Sequence, residues 1–270
     1  MSTPSESESE SESEPVESTG RLRFVGTGEA LDPALPNTSL LYEGPRRLLL
    51  DCGYAVPHAF WRLCQDVDYL DGVWLSHGHA DHCFGLPALL LWMRLGGRER
   101  PLTILGGPGS RARIEQVLAL GYPGSFAPRK CYPIEFVELE VEAPTRWGPL
   151  DLRIAASRHS IRNDALRIEA PGLRSLMYSG DGAPTPATRA LAEGVSILVH
   201  ECFFAEGPAT KHGDLPGCVA MAEAAGVETL ALLHFAAEAK ATIAARAPAL
   251  AGSLDLRLPA PGDSLSLGHR

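Results

Sequence analysis

Between positions 77 and 82 the chain reads His77-Gly78-His79-Ala80-Asp81-His82. Three imidazoles and a carboxylate in six residues are the donors that a borderline-soft divalent cation takes, a neutral ring nitrogen and an ionised oxygen. The spacing carries a second message. Alternate residues such as His77 and His79 can face one ion from an extended loop, whereas the adjacent Asp81 and His82 turn elsewhere. One hexapeptide can therefore serve two ions a few ångströms apart.

An enzyme's metal centre needs more donors than one loop supplies, and the second half of the chain offers them at the ends of predicted strands. His159 follows an apolar-alternating strand at Leu150–Ala156, and Asp181 follows Ser175–Tyr178. His200-Glu201 follow Ser196–Val199, and His234 follows Thr229–Leu233. Functional groups gathered at one edge of a sheet are how open α/β scaffolds build sites. The histidine hexapeptide itself follows a short strand at Val73–Ser76. Further strands are predicted at Leu22–Val25, Thr38–Tyr42, Arg46–Asp51, Ile134–Val141 and Ala165–Glu169. Helices are predicted over Gly85–Leu95, Ser110–Leu120, Thr185–Leu191, Pro216–Ala225 and Glu238–Ala245. Strand-rich halves with helices between them suggest an α/β (α+β) domain of two sheets packed face to face and flanked by helices.

The chain has 270 residues, 45% of them hydrophobic, enough for one large domain with a core. Residues 1–20 differ: Ser/Glu alternation with no apolar cluster predicts a disordered tail acting as a solubility appendage. A single domain is expected from 21 to 270. Removing the tail's six glutamates from a net charge of −9 leaves −3 for the body, a poor match to a large nucleic-acid footprint. No apolar run approaches a membrane span and no signal peptide is evident, so the expected compartment is the cytoplasm, with no membrane partner. Six scattered cysteines without CxxC pairs read as reduced thiols, Cys83 as a small hydrophobe. Gly106-Gly107-Pro108-Gly109 reads as a strand-to-helix turn without the Lys-Ser/Thr ending of a phosphate loop. Arg158 and Arg162 read as solvated surface residues.

These motifs resemble the metallo-β-lactamase superfamily, and within it the ribonuclease Z-like branch. The hexapeptide is similar to the HxHxDH motif, and Leu49-Leu50-Asp51-Cys52-Gly53 to the strand ending in Asp-x-Gly. His159-Ser160, Ser179-Gly180-Asp181 and Leu233-His234-Phe235 resemble the later ligand motifs. Val199-His200-Glu201 and His212 resemble motifs specific to the branch. The resemblance implies a four-layer αβ/βα sandwich and a metal-dependent hydrolase holding two divalent ions. Zinc is the default; manganese or iron could take the same ligands. One ion would be held by His77, His79 and His159, the other by Asp81, His82 and His234, with Asp181 bridging. Asp51 would fix a ligating histidine. Asp81 would also take a proton from the attacking water, and His212, oriented by Glu201, would touch a phosphoryl oxygen or the leaving group. A homodimer is admitted, with no interface located by the sequence.

The departure from the branch concerns substrate. In the bacterial enzymes that cut precursor tRNA, a long arm lies between the third histidine and the bridging aspartate. Here only residues 160–180 separate His159 from Asp181, with a turn at Pro171-Gly172. The first expectation is a phosphodiesterase using a metal-bridging hydroxide on a small or cyclic phosphodiester. The alternatives are tRNA 3′ processing, with RNA as the partner, lactone or thioester hydrolysis, and a non-catalytic sensor that keeps the metals.

Overall fold

The structure, a computed structural model, describes residues 20–268 except 142, 208 and 209. The acidic tail expected over 1–20 therefore lies, but for Gly20, outside the described residues. Two seven-stranded sheets form the centre. The first takes β1 (Arg21–Gly26), β2 (Ser39–Glu43), β3 (Arg47–Leu50), β4 (Gly72–Leu75), β5 (Leu102–Gly106) and β6 (Ile134–Glu138). The second takes β7 (Thr145–Trp147), β8 (Leu150–Ala156), β9 (Asp164–Glu169), β10 (Leu176–Tyr178), β11 (Ile197–Glu201), β12 (Thr229–Leu233) and β13 (Asp255–Arg257). The last strand, β14 (Ser264–Ser266), returns to the first sheet and pairs antiparallel with β1. Each sheet is antiparallel on one side and parallel on the other: β3 to β6 in the first, β10 to β13 in the second.

The run Leu48-Leu49-Leu50 shows why there are four layers. Successive strand residues point to opposite faces. Leu48 and Leu50 enter the core between the sheets, with Trp74, Leu152 and Tyr178. Leu49 enters a separate core with Phe60, Leu89, Leu90 and Met93. Those side chains belong to α1 (Val56–Leu63) and α3 (Leu86–Leu95), which lie with α4 (Ser110–Gly121) on the outer face of the first sheet. Between α1 and α3 sits a single turn, α2 (Ala80–Cys83). On the outer face of the second sheet α5 (Pro186–Ala192), α6 (Leu215–Ala225) and α7 (Lys240–Leu250) cover Met177, Leu198, Leu230 and Leu232. A strand buried on both faces has no polar alternation. Among the described residues no helix is long and apolar enough to cross a membrane.

Every strand and helix expected from the sequence is present, with ends displaced by a few residues. The sequence reading missed α1, α2, β5, β7, β13 and β14. Pro57 hid α1, although proline is well accommodated in a helix's first turn. The strands β7, β13 and β14 have three residues each, too short for a period.

Two strand ends that lead into the histidine-rich region carry an unusual backbone. Asp51 after β3 and His234 after β12 have φ of 63° and 61°, the left-handed region that non-glycine residues seldom occupy. Gly53 is tighter still, since a Cβ there would lie 1.8 Å from the Asp81 carbonyl oxygen. Backbone cannot swing away as a side-chain end can, so Gly53→Ala should displace the hexapeptide and cost about 1–3 kcal/mol. The expected outcome is a Tm fall of about 2–10 °C by calorimetry, with weaker metal retention; an unchanged Tm would contradict the packing described.

Candidate metal centre

All seven sequence-predicted ligands converge at one edge of the sandwich. The chain leaves β4 extended through His77 and His79, then closes into α2 at Ala80, which turns Asp81 and His82 to another side. The three residues His159, Asp181 and His234 come in after β8, β10 and β12 of the opposite sheet. One donor group is His77, His79 and His159; a second is Asp81, His82, Asp181 and His234.

The hydrogen bonds behind the rings decide which nitrogens face inward. The Ser76 hydroxyl donates to Asp51 (2.7 Å), so it accepts from His77 Nδ1 (3.0 Å). His82 Nδ1 donates to Asp51 Oδ2 (2.8 Å). Thr38 Oγ1 donates to the Gly28 carbonyl (3.0 Å) and accepts from His234 Nδ1 (3.1 Å). His159 Nδ1 donates to the Lys211 carbonyl (3.0 Å). Each ring thus has its proton on Nδ1 and an Nε2 lone pair aimed at the centre. His79 is reversed: its Nδ1 lies 2.9 Å from His77 Nε2 and 3.1 Å from His159 Nε2.

Three lone pairs at that separation repel unless a cation lies among them. The second group makes the same point with unpartnered atoms. His82 Nε2 and Asp181 Oδ1 are buried without a hydrogen bond and stand 3.3 Å apart. Asp81 Oδ2 is 3.2 Å from that same nitrogen, and Asp181 Oδ2 is 3.3 Å from His234 Nε2. Asp181 Oδ2 also lies 3.9 Å from His77 Nε2 and 4.0 Å from His159 Nε2, so this carboxylate faces both groups. Burial works against its charge, but His234, His82 and His77 hold its carboxyl well below the usual range. Imidazole and carboxylate donors with buried, unanswered lone pairs fit two divalent ions.

The residues that build this edge were only partly legible. Asp51 accepts from the Ser76 amide and hydroxyl, from His82 and from the Tyr178 hydroxyl (2.7 Å), which reaches across from the second sheet. Ser76, Tyr178, Thr38 and Asn163 were not singled out from the sequence. Asn163 is fully buried and accepts the Asp181 amide at 3.1 Å. Their common signal is a polar side chain at or next to a strand end. His200, a strand-end candidate, lies within β11 and turns away; its Nδ1 meets the Glu201 carbonyl at 2.6 Å, outside both donor groups.

Glu201 stands beside His212, as expected, and has a further role that the sequence did not suggest. It is fully buried, and its carboxylate accepts backbone amides from Gly182 (2.8 Å), Gly213 (2.8 Å) and Phe203 (3.0 Å). It therefore pins the turn after Asp181 to the loop carrying His212. His212 Nδ1 is 3.3 Å from Glu201 Oε1 but without hydrogen-bond geometry. Its ring stacks on Phe203 (4.6 Å between centroids) and meets His159 edge-on (4.9 Å). A ring nitrogen also lies within 4.8 Å of donor atoms on His159 and Asp181, so His212 faces the centre. Burial would lower its pKa, but Glu201, Asp181 and Asp81 together raise it above the usual value.

This fold and donor set define a metallo-β-lactamase-fold hydrolase of the ribonuclease Z-like branch, dependent on divalent metal. The chain belongs to the family described as "Anti-Pycsar protein Apyc1", which matches residues 20–248. It is 27% identical over 265 residues to a ribonuclease Z of Methanosarcina acetivorans, covering 79% of this chain and 87% of that protein. Solved structures share the fold. The metallo-β-lactamase fold protein YhfI from Bacillus subtilis superposes with a TM-score of 0.77 at 19% identity, over 92% of this chain and 99% of that one. The short form of human tRNase Z gives 0.73 at 18%, over 92% and 100%.

The two roles of Glu201 and His212 separate by stability. Glu201→Gln keeps one acceptor oxygen, enough for the Gly182 and Gly213 amides, but turns its NH₂ onto the Phe203 N–H, which costs about 1–3 kcal/mol. His212→Ala unpins no backbone and should lower Tm by less. Thermal unfolding of both variants checks the order, and the reverse order would show that Glu201 is not the structural anchor.

Proposed function

We propose that the chain hydrolyses a small or cyclic phosphodiester, with two divalent ions for which zinc is the first choice. The observation that carries this reading is the segment between His159 and Asp181. It is a hairpin of β9 and β10, paired Leu176 to Ile168, that stays within the second sheet. No long insertion therefore separates these two ligands, an arrangement suited to a compact substrate. The nearly neutral body supports the same reading, because binding a long polyanion depends on many Lys and Arg contacts to phosphates.

Two ions, when bound, supply a hydroxide at neutral pH and neutralise charge developing on phosphorus. The protein's own groups do the rest. His77, His79 and His159 would hold one ion, and Asp81, His82 and His234 the other, with Asp181 between them. The Asp81 carboxyl is held below its ordinary pKa by His82 despite its burial. It is thus ionised and ready to take the proton of the attacking water. His212, whose pKa the neighbouring carboxylates raise, would protonate the departing ester oxygen. Phe203 stacks against its ring and fixes the direction of that proton.

A second reading, RNA 3′ processing, is favoured by the relatives that carry the name ribonuclease Z. A panel of bis(p-nitrophenyl) phosphate, cyclic phosphodiesters, a lactone and a precursor tRNA separates the two. The expected result is metal-dependent turnover of the small phosphodiesters, abolished in Asp181→Ala together with metal retention. His212→Ala should lower kcat about 10²–10⁴-fold on alkyl esters. It should lower kcat less on p-nitrophenyl esters, whose leaving group needs no proton. Specific tRNA cleavage with the higher kcat/KM would overturn the first reading.

A further inference from the structure

Beside the centre lies a cavity of about 170 Å³ that the chemistry above does not use. Its wall is shared with the metal edge through Ser76, His77 and Gly78. Its far side is the turn Gly107-Pro108-Gly109 and the first turns of α4. Leu75, Cys83, Ile114 and Val117 make its apolar floor. The glycine-rich turn, read from the sequence as a simple connection, thus faces the hexapeptide.

The charged groups at the mouth are unequal. Arg162 is committed to Asp164, with Nε to Oδ2 and Nη2 to Oδ1 both at 2.8 Å, which leaves that pair without net charge. Arg113 has no hydrogen-bonded or ion-paired partner among the described residues. Its side chain, though exposed, lies against the hexapeptide. A Cβ built on Gly78 would lie 2.2 Å from Arg113 Cδ and 2.3 Å from Nη1, so the guanidinium rests on the peptide between His77 and His79. Gly78 gives it room to do so. The N-terminal end of α4, with its partial positive charge, opens on the same cavity. One of its first amides, that of Arg111, already donates to Glu138 Oε1 at 2.8 Å. The free positive charge at the cavity is therefore that of Arg113.

We infer that this cavity is a subsite for a second anionic group of the substrate, a carboxylate or phosphate on the ester arm that stays attached to phosphorus, and that Arg113 is its specificity-determining residue. The inference rests on the phosphodiesterase reading. A guanidinium presents a planar fork to such an oxyanion and makes charge-assisted hydrogen bonds to it. The shared wall of Ser76, His77 and Gly78 sets that anion beside the reacting group, while the Asp164 carboxylate at the cavity is answered by Arg162.

The test uses the metal-loaded protein and simple phosphonates as probes. Methylphosphonate measures binding at the ions alone. A series of ω-carboxyalkyl phosphonates with two to four carbons, each against its neutral amide, measures the second anion. At the best length, calorimetry should find the carboxylate bound about tenfold more tightly than the amide, the scale of one charge-assisted hydrogen bond at a partly exposed site. Arg113→Ala should erase that ratio and Arg113→Lys should keep part of it. Equal ratios in wild type and Arg113→Ala at every length overturn the subsite while leaving the phosphodiesterase reading intact. Failure of methylphosphonate to bind at all overturns both.

Discussion

Everything at the working edge of this protein depends on lone pairs that converge with nothing in the polypeptide to answer them. Four histidines are each tied back through Nδ1 to a fixed acceptor, so their Nε2 atoms have no choice of direction. Rings hydrogen-bonded in this way cannot rotate to relieve the crowding. The buried Asp181 carboxylate stands among them with one oxygen unpartnered. Burying such groups without partners is costly, and the fold tolerates it because cations complete the set. The strained backbone at Asp51 and His234 belongs to the same arrangement, since both residues take part in orienting a ring.

The outer support of the centre is as ordered as its inner face. Asp51 gathers four hydrogen bonds, three from the first sheet's own edge and one from Tyr178 of the second. Glu201 does the corresponding work in the second sheet by holding three loop amides. Two buried carboxylates, neither in the donor groups, thus set where the ligands stand. A rigid frame of this kind keeps geometry tight enough for hydrolysis, where small displacements are expensive in rate.

Much of this was legible in the sequence. The hexapeptide could be read directly, because ligand chemistry is concentrated in six residues. The later ligands could be found because each follows a strand with a clear apolar pattern, and strand ends are where such scaffolds place function. Tyr178 was hidden for a physical reason: a tyrosine that closes an apolar strand reads as core, and its hydroxyl finds Asp51 only once two sheets have packed. Glu201 was read only as the partner of His212, because a charge next to a histidine motif suggests a partnership with histidine; its anchoring of loop amides was not legible. Its three amide donors come from positions 182, 203 and 213 and meet only in the folded chain. The glycine turn after β5 was likewise read as a connection, since nothing local indicates that it faces Gly78.

The origin of the donors has a mechanical meaning. His77, His79, Asp81 and His82 hang from the first sheet, while His159, Asp181 and His234 hang from the second. Each ion would therefore be a rivet through both halves of the sandwich at a rim where apolar packing gives way to polar groups. His159 also holds the Lys211 carbonyl, so the rivet extends to the loop that bears His212. Stripped of ions, the molecule would keep the leucine-rich interior that joins its sheets and loosen first along that rim. Metal uptake and the closing of the reaction edge would then be a single event.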